Sequence, residues 1–211
     1  MKNHFLTDFF LKFYSKIAVI FVVIVVSIAH IVATITIPEL YNWQARTISD
    51  LASQQYAYSW IMSLGLLGFG LILFLGSIFK IIKDKKNWYR EVPILLCTIS
   101  IFITGLFDTK PLTSLANFHN SEDTIHAVFA TIAGFSLAFA MIVAFFPLGR
   151  LSKKQTTNNF IILSLLTFVS IIYGLADEFS PSLVGITQRL LWLVGIYWIM
   201  FYYNNNSHFV D

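Results

Sequence analysis

Asp50, Asp108, His30, His126, Gln188 and Arg189 are the side chains of this largely apolar chain whose types could do chemistry. An imidazole near carboxylates can act as a general base, and Ser49, His126 and Asp108 have the composition of nucleophile, base and orienting acid. His30, His126, Asp50 and Asp108 could instead hold a divalent metal, whose bound water would attack a lipid ester or amide. Arg189 and Gln188 can donate to a phosphate while His126 and the acids set its orientation. Spacing weakens the first two readings. No G-x-S-x-G elbow surrounds Ser49, and no H-E-x-x-H pair puts two metal ligands on one helix face. The catalytic candidates reduce to His126 and Asp108, and Asp50, Asp108, His126, Gln188 and Arg189 are expected to bind a ligand. For His30 a hydrogen-bonded interior histidine is the simpler reading, and His119 and His208 fall in polar loop and tail.

The elements that position these residues must work in lipid. Hydrophobic residues make up 57% of the 211, charged residues only 12%, and mean hydropathy is +0.73, against roughly 25% charged residues in soluble domains. The net charge of +3 comes with basic residues in short clusters between apolar runs, which excludes a nucleic-acid surface. Cys97 is the lone cysteine, so no intramolecular disulfide forms, and its mid-run position marks a small buried hydrophobe.

Six apolar runs follow in order, at Ile17–Ile37, Tyr56–Phe79, Val92–Phe107, Ile125–Pro147, Phe160–Ala176 and Arg189–Tyr203. About 20 residues at ~1.5 Å each cross a hydrocarbon core of ~30 Å, and the shorter third, fifth and sixth runs need polar flanks within the interface. All five prolines fall at or between run ends, where a missing backbone donor costs least. The expected fold is an all-α polytopic membrane protein, a bundle of six transmembrane helices over residues 17–203. Residues 1–16, with Phe5, Leu6, Phe9, Phe10 and Phe13 beside Lys2, Lys12 and Lys16, suit a cytoplasmic amphipathic segment at the membrane surface, and residues 204–211 a short cytoplasmic tail.

Charge sets the orientation. With six crossings, eleven of the 14 basic residues fall on the side of the termini, leaving Arg46, Lys110 and Arg189 on the other. Positive residues favour the cytoplasm, so both termini are expected inside, and the stretch from Gly105 to His126 faces outward from a plasma (inner) membrane. The outer face is acidic, with Glu39, Asp50, Asp108, Glu122, Asp123, Asp177 and Glu178; the Lys80–Arg90 cluster suits topology and anionic head groups.

Helical spacing then orients the polar residues. Ser27, His30 and Thr34, like Ser100, Thr104 and Asp108, form stripes expected to face protein. His126, Ala130, Gly134 and Ala138 suggest a small-residue seam that turns His126 inward, and Gly65, Gly68, Gly70 and Gly76 allow close approach in the second run. Asp177-Glu178 at a helix carboxyl end calls for a cation, and Arg189 is the expected partner of Asp177, Glu178 or Asp108. Ser49-Asp50 has the chemistry of a helix cap.

Thr47-Ile48-Ser49-Asp50-Leu51, Gly105-Leu106-Phe107-Asp108, His126 and Gly185-Ile186-Thr187-Gln188-Arg189, in that order at the run boundaries, resemble the six-span membrane family called domain of unknown function 998. The resemblance covers nearly the whole chain. It implies a six-helix integral membrane protein, adds weight to Asp50, Asp108, His126, Gln188 and Arg189, and brings no activity. Asp177-Glu178 stands outside the family pattern. The preferred expectation is an outward polar pocket that binds a lipid head group or a membrane-protein partner, with no cofactor beyond a divalent metal. The alternatives are a metal-dependent intramembrane lipid hydrolase and a transporter or proton-coupled protein, the latter disfavoured because the titratable groups gather near one face.

Overall fold

The computed structural model describes residues 2–54, 56–83, 85, 88–112, 119–144 and 153–206, with the backbone alone at 2–8, 11, 12, 153 and 203–206. An apolar run in lipid must satisfy its backbone internally, and helices do so. Six form: α1 (Lys2–Thr36), α2 (Ser59–Lys83), α3 (Val92–Thr104), α4 (Asn120–Val143), α5 (Lys153–Phe179) and α6 (Val184–Asn206). All but α3 are long and apolar enough to cross a membrane. The described residues contain no strand, only an isolated parallel bridge between Ser53 and Thr109.

The helices depart from the apolar runs mainly at their polar flanks. Hydropathy registers the lipid-facing part, whereas a helix continues until something stops it. α5 therefore begins at Lys153, well before Phe160, and α6 begins at Val184, directly after a 3-10 turn at Pro181–Leu183. α3 stops early because, after the Gly105 N–H reaches Ile101 and Phe102 (both 3.1 Å), the N–H groups of Leu106 and Phe107 tighten onto the carbonyls three residues back, Ile103 (2.9 Å) and Thr104 (3.4 Å). α1 is unbroken from Lys2, so residues 2–16 continue into the first span as one helix. The aromatic pattern proposed for that segment falls partly on side chains outside the described set, as do Pro147, Arg150 and residues 207–211.

α1 packs on α2 and on α6, α2 on α3, α3 on α4 and α5 on α6, with a lighter contact of α4 with α5. Small residues permit the closest crossing: a side chain at Gly76 would enter the ring of Tyr14, which is buried. Large apolar side chains such as Ile35, Phe135 and Phe168 point outward, the surface expected of a bundle whose solvent is lipid. Contacts at the two ends show that α3, though only 13 residues long, joins the same ends as its neighbours. At one end the α1–α2, α3–α4 and α5–α6 connections meet, through Arg46 Nη2 donating to the Leu112 carbonyl (2.9 Å) and the Ile48 N–H donating to Gln188 Oε1 (2.6 Å). At the other, Lys80 of α2 pairs with Glu91 ahead of α3 (2.7 Å), and Asn159 of α5 links the Met141 carbonyl of α4 (3.0 Å) to Trp198 Nε1 of α6 (2.6 Å).

Two expected interior stripes lie elsewhere. Ala130 and Gly134 are exposed, and the buried face of α4 is His126, Ala133, Ser136, Ala140 and Met141. Steps of four residues overshoot a full turn by about 40°, so a series of them drifts off the face that steps of three and four together hold. In α1, Ser27 and Thr34 are exposed and the buried side is Tyr14, Ser15, Ala18, Val22, Ala29 and Ala33. Thr34 donates to the His30 carbonyl of its own helix (2.8 Å), and a hydroxyl satisfied in this way can face lipid. The α3 stripe holds: Ser100 and Thr104 are buried and Asp108 is half-buried.

Candidate functional site

The end where the three connections meet carries all six chemistry-bearing residues in its turns and the adjoining helix ends, and they fall into two groups. The first is built on the α1–α2 connection. Asn42 opens a single helical turn by accepting the Gln44 N–H on its side chain (3.0 Å) and the Arg46 N–H on its carbonyl (2.7 Å). Thr47 and Asp50 then cap a 3-10 helix, Ser49–Ala52, reciprocally: Asp50 Oδ2 accepts the Thr47 N–H (2.8 Å) and Thr47 Oγ1 accepts the Asp50 N–H (3.1 Å). Asp50 is thus a cap, on this short turn rather than on α2.

The turn at residues 42–46 directs its carbonyls at the start of α6. There Arg189 Nη1 donates to the carbonyls of Trp43 (2.7 Å), Arg46 (2.8 Å) and Gly185 (2.8 Å), and Nη2 donates to the Tyr41 hydroxyl (2.7 Å). Two hydrogens on Nη1 serve three acceptors, so one is shared. Arginine has no lone pair to offer, hence Tyr41 accepts from it, which leaves the phenol hydrogen for His30 Nδ1 (3.1 Å). A neutral His30 that accepts this bond carries its hydrogen on Nε2. Burial keeps the Tyr41 hydroxyl above its usual 10.0 despite the adjacent guanidinium, so it remains a donor. The expected ion pair of Arg189 with Asp177, Glu178 or Asp108 does not form; among the described residues the one ion pair is Lys80–Glu91. Backbone carbonyls at the end of a helical turn carry enough partial charge to replace the carboxylate.

The second group lies between the ends of α2, α3 and α4. His126, 2% exposed, donates from Nδ1 to the Phe107 carbonyl (2.7 Å), which leaves Nε2 of the neutral ring as an acceptor. Nε2 is buried without a hydrogen-bond partner among the described residues, although the Thr104 carbonyl also faces the ring. Asp108 accepts the Ser63 hydroxyl and sits in the field of Glu122 and His126. Burial first, and Glu122 second, lift its carboxyl above the usual 3.8, with His126 and Ser63 opposing. Asp123 is engaged by the Lys110 N–H (2.9 Å). Among the described residues no three His, Cys, Asp or Glu side chains converge as a metal site, and the proposed quartet divides, His30 and Asp50 falling in the first group and His126 and Asp108 in the second.

A model of the family described as protein of unknown function DUF998 matches residues 17–203, nearly nine-tenths of the chain. The chain belongs to that family. No curated protein and no solved structure matches it. In this DUF998 chain the two groups are joined by a seam that the sequence reading missed. Thr109 donates its N–H to the Ala52 carbonyl (2.9 Å) and accepts the Gln54 N–H (2.8 Å), Ser53 Oγ donates to the Lys110 carbonyl (2.9 Å), and the Gln54 amide exchanges two bonds with the His119 backbone (2.9 Å each). Ser53, Gln54 and Thr109 are all buried. An uncharged polar residue in a connection carries no periodic signal. Tyr41, the link between Arg189 and His30, lies in the same kind of connection and carries no periodic signal either.

Proposed function

We propose that this chain crosses the membrane six times with both termini cytoplasmic, in a plasma (inner) membrane, and holds the ammonium group of a phospholipid at its acidic outer end. Six crossings are supported by the meeting of alternate connections at one end and by the eleven basic residues on the opposite side of that topology. In a Cys97→Ser background, Lys85→Cys should resist an impermeant thiol reagent in intact cells while Glu39→Cys reacts; the reverse labelling would overturn the orientation.

The observation that carries the ligand reading is the His126 Nε2 lone pair, buried without a donor among the described residues beside half-buried Asp108 and Glu122. Arg189, Gln188 and Asp50 already serve the protein's own backbone, which moves the reading from phosphate to amine. Carboxylates and an imidazole lone pair all accept, and their complement is a ligand rich in N–H donors. A primary ammonium fits; a quaternary one has no hydrogen to give.

Asp108→Asn keeps the shape and removes the anion. Phosphatidylethanolamine retained by the purified protein, counted by native mass spectrometry against phosphatidylcholine, should bind about tenfold more weakly, or ~1.4 kcal/mol for one charge-assisted bond. Equal retention by both forms would remove the basis for the site. The same variant reports on pH. Because the folded state raises the Asp108 pKa, it binds the proton more tightly than the unfolded chain, so stability declines as pH rises from 3.8 through the raised value. Lipid-free Asp108→Asn should therefore melt above the wild type at pH 7, and the difference should vanish below about pH 3.8.

A further inference from the structure

We infer that Arg90 anchors a binding site for the phosphate of an anionic phospholipid at the opposite, basic end of the bundle, independently of the amine site above. Nε and Nη2 of Arg90 are both buried and have no hydrogen-bond partner among the described residues. These two nitrogens form one edge of the guanidinium plane, with parallel N–H bonds spaced for two oxygens of one phosphate or carboxylate. A charged donor pair removed from water is costly until an acceptor is supplied.

The adjacent acid does not supply it. Glu91, 3% exposed, directs its carboxylate to Lys80 Nζ (2.7 Å) and accepts the Tyr202 hydroxyl (3.4 Å), while Lys80 also lies over the Tyr202 ring at 4.7 Å from its centroid. The neighbouring carboxylate is thus held by another cation, and the Arg90 Cζ lies 6.0 Å from the Tyr89 ring centroid. The depth of the site points to lipid. Trp88 is 54% exposed and Tyr89 38% exposed on the two residues before Arg90, and exposed Trp and Tyr at a helix boundary sit at head-group level. Exposed Lys83 and Lys85 add positive charge on the same side, which favours a head group with net negative charge over a zwitterionic one.

The test uses the full chain, delipidated in detergent and titrated with phosphatidylglycerol, phosphatidylcholine or inorganic phosphate, with melting temperature and native mass spectrometry as readouts. The wild type should bind one phosphatidylglycerol, be stabilised by it and prefer it over phosphatidylcholine at least fivefold. Arg90→Gln and Arg90→Lys should each raise the phosphatidylglycerol midpoint about tenfold, the lysine failing because it keeps the charge and loses the fork, whereas Lys110→Gln at the far end should leave it unchanged. Equal midpoints in wild type and Arg90→Lys would overturn the site. Inorganic phosphate acting at the same midpoint as phosphatidylglycerol would overturn its assignment to lipid. Should neither Arg90 variant fold, the wild type alone decides: no preference for phosphatidylglycerol, or no lipid retained, overturns the inference.

Discussion

Arg189→Ala is expected to lower the unfolding free energy by ~3–5 kcal/mol, enough to remove much of the folded yield. The side chain makes four hydrogen bonds that tie the first turn of α6 to the α1–α2 connection. Truncation leaves the Arg46 and Gly185 carbonyls facing a space without a donor. Tyr41 also loses the guanidinium that orders its hydroxyl toward His30. Net values of about 1–2 kcal/mol per charged bond, reduced because one Nη1 hydrogen is shared and Trp43 is partly wet, give the range stated. Denaturant titration in detergent micelles measures it, with the Trp43 indole, 5.9 Å from the Arg189 Cζ, as a local fluorescent reporter.

Arg189→Lys separates charge from geometry. An ammonium can face one or two of the carbonyls, but it lacks the planar fork that reaches Tyr41 and the turn at once. About half of the loss should remain. If the lysine variant instead matched the wild type, the positive charge alone would hold the connection, and the hydrogen-bond order proposed for Tyr41 and His30 would lose its support.

What the sequence made legible follows the same division between periodic and local signals. The six helices were legible because lipid demands a long apolar run for each; three runs met that demand without help, and the fifth and sixth helices reach it only with their polar flanks. α3 was legible as an apolar run but not as a helix of 13 residues, since its end depends on how Gly105 closes the last turn. His126 was read as inward-facing and is buried, although the seam invoked for it is not: Gly134 touches nothing within 4 Å of a would-be side chain. The correct signal was the carbonyl of Phe107, which no spacing rule supplies. Arg189 was identified as needing a partner, and an ion pair was the natural expectation from residue types. Its partners are main-chain carbonyls, identical in every residue and therefore silent in a sequence. Ser53, Gln54 and Thr109 were missed on the same ground, because they bond to backbone brought close only by the fold, and Tyr41 because its partners, Arg189 and His30, are far from it in the chain or on another element.

Gly185→Ala should destabilise by ~2–3 kcal/mol even though alanine is the better helix former by about 1 kcal/mol. A methyl at this position would strike the carbonyl oxygens of Trp43, Gln44 and Arg46 together, and backbone atoms cannot swing aside as the end of a side chain can. The turn at residues 42–46 would have to withdraw from α6, breaking the Ile186 N–H to Gln44 carbonyl bond (3.1 Å) and pulling two acceptors from Arg189. Gly185 and Arg189 thus act on one contact from two sides, the glycine by admitting the carbonyls and the arginine by holding them. Their losses should not add. In a double-mutant cycle, Arg189→Ala in the Gly185→Ala background should cost at least 1 kcal/mol less than in the wild type, about the size found for residues sharing one network. Full additivity would mean that the carbonyls stay with Arg189 when the methyl is present, and the close approach of turn and helix would then not be what positions the guanidinium.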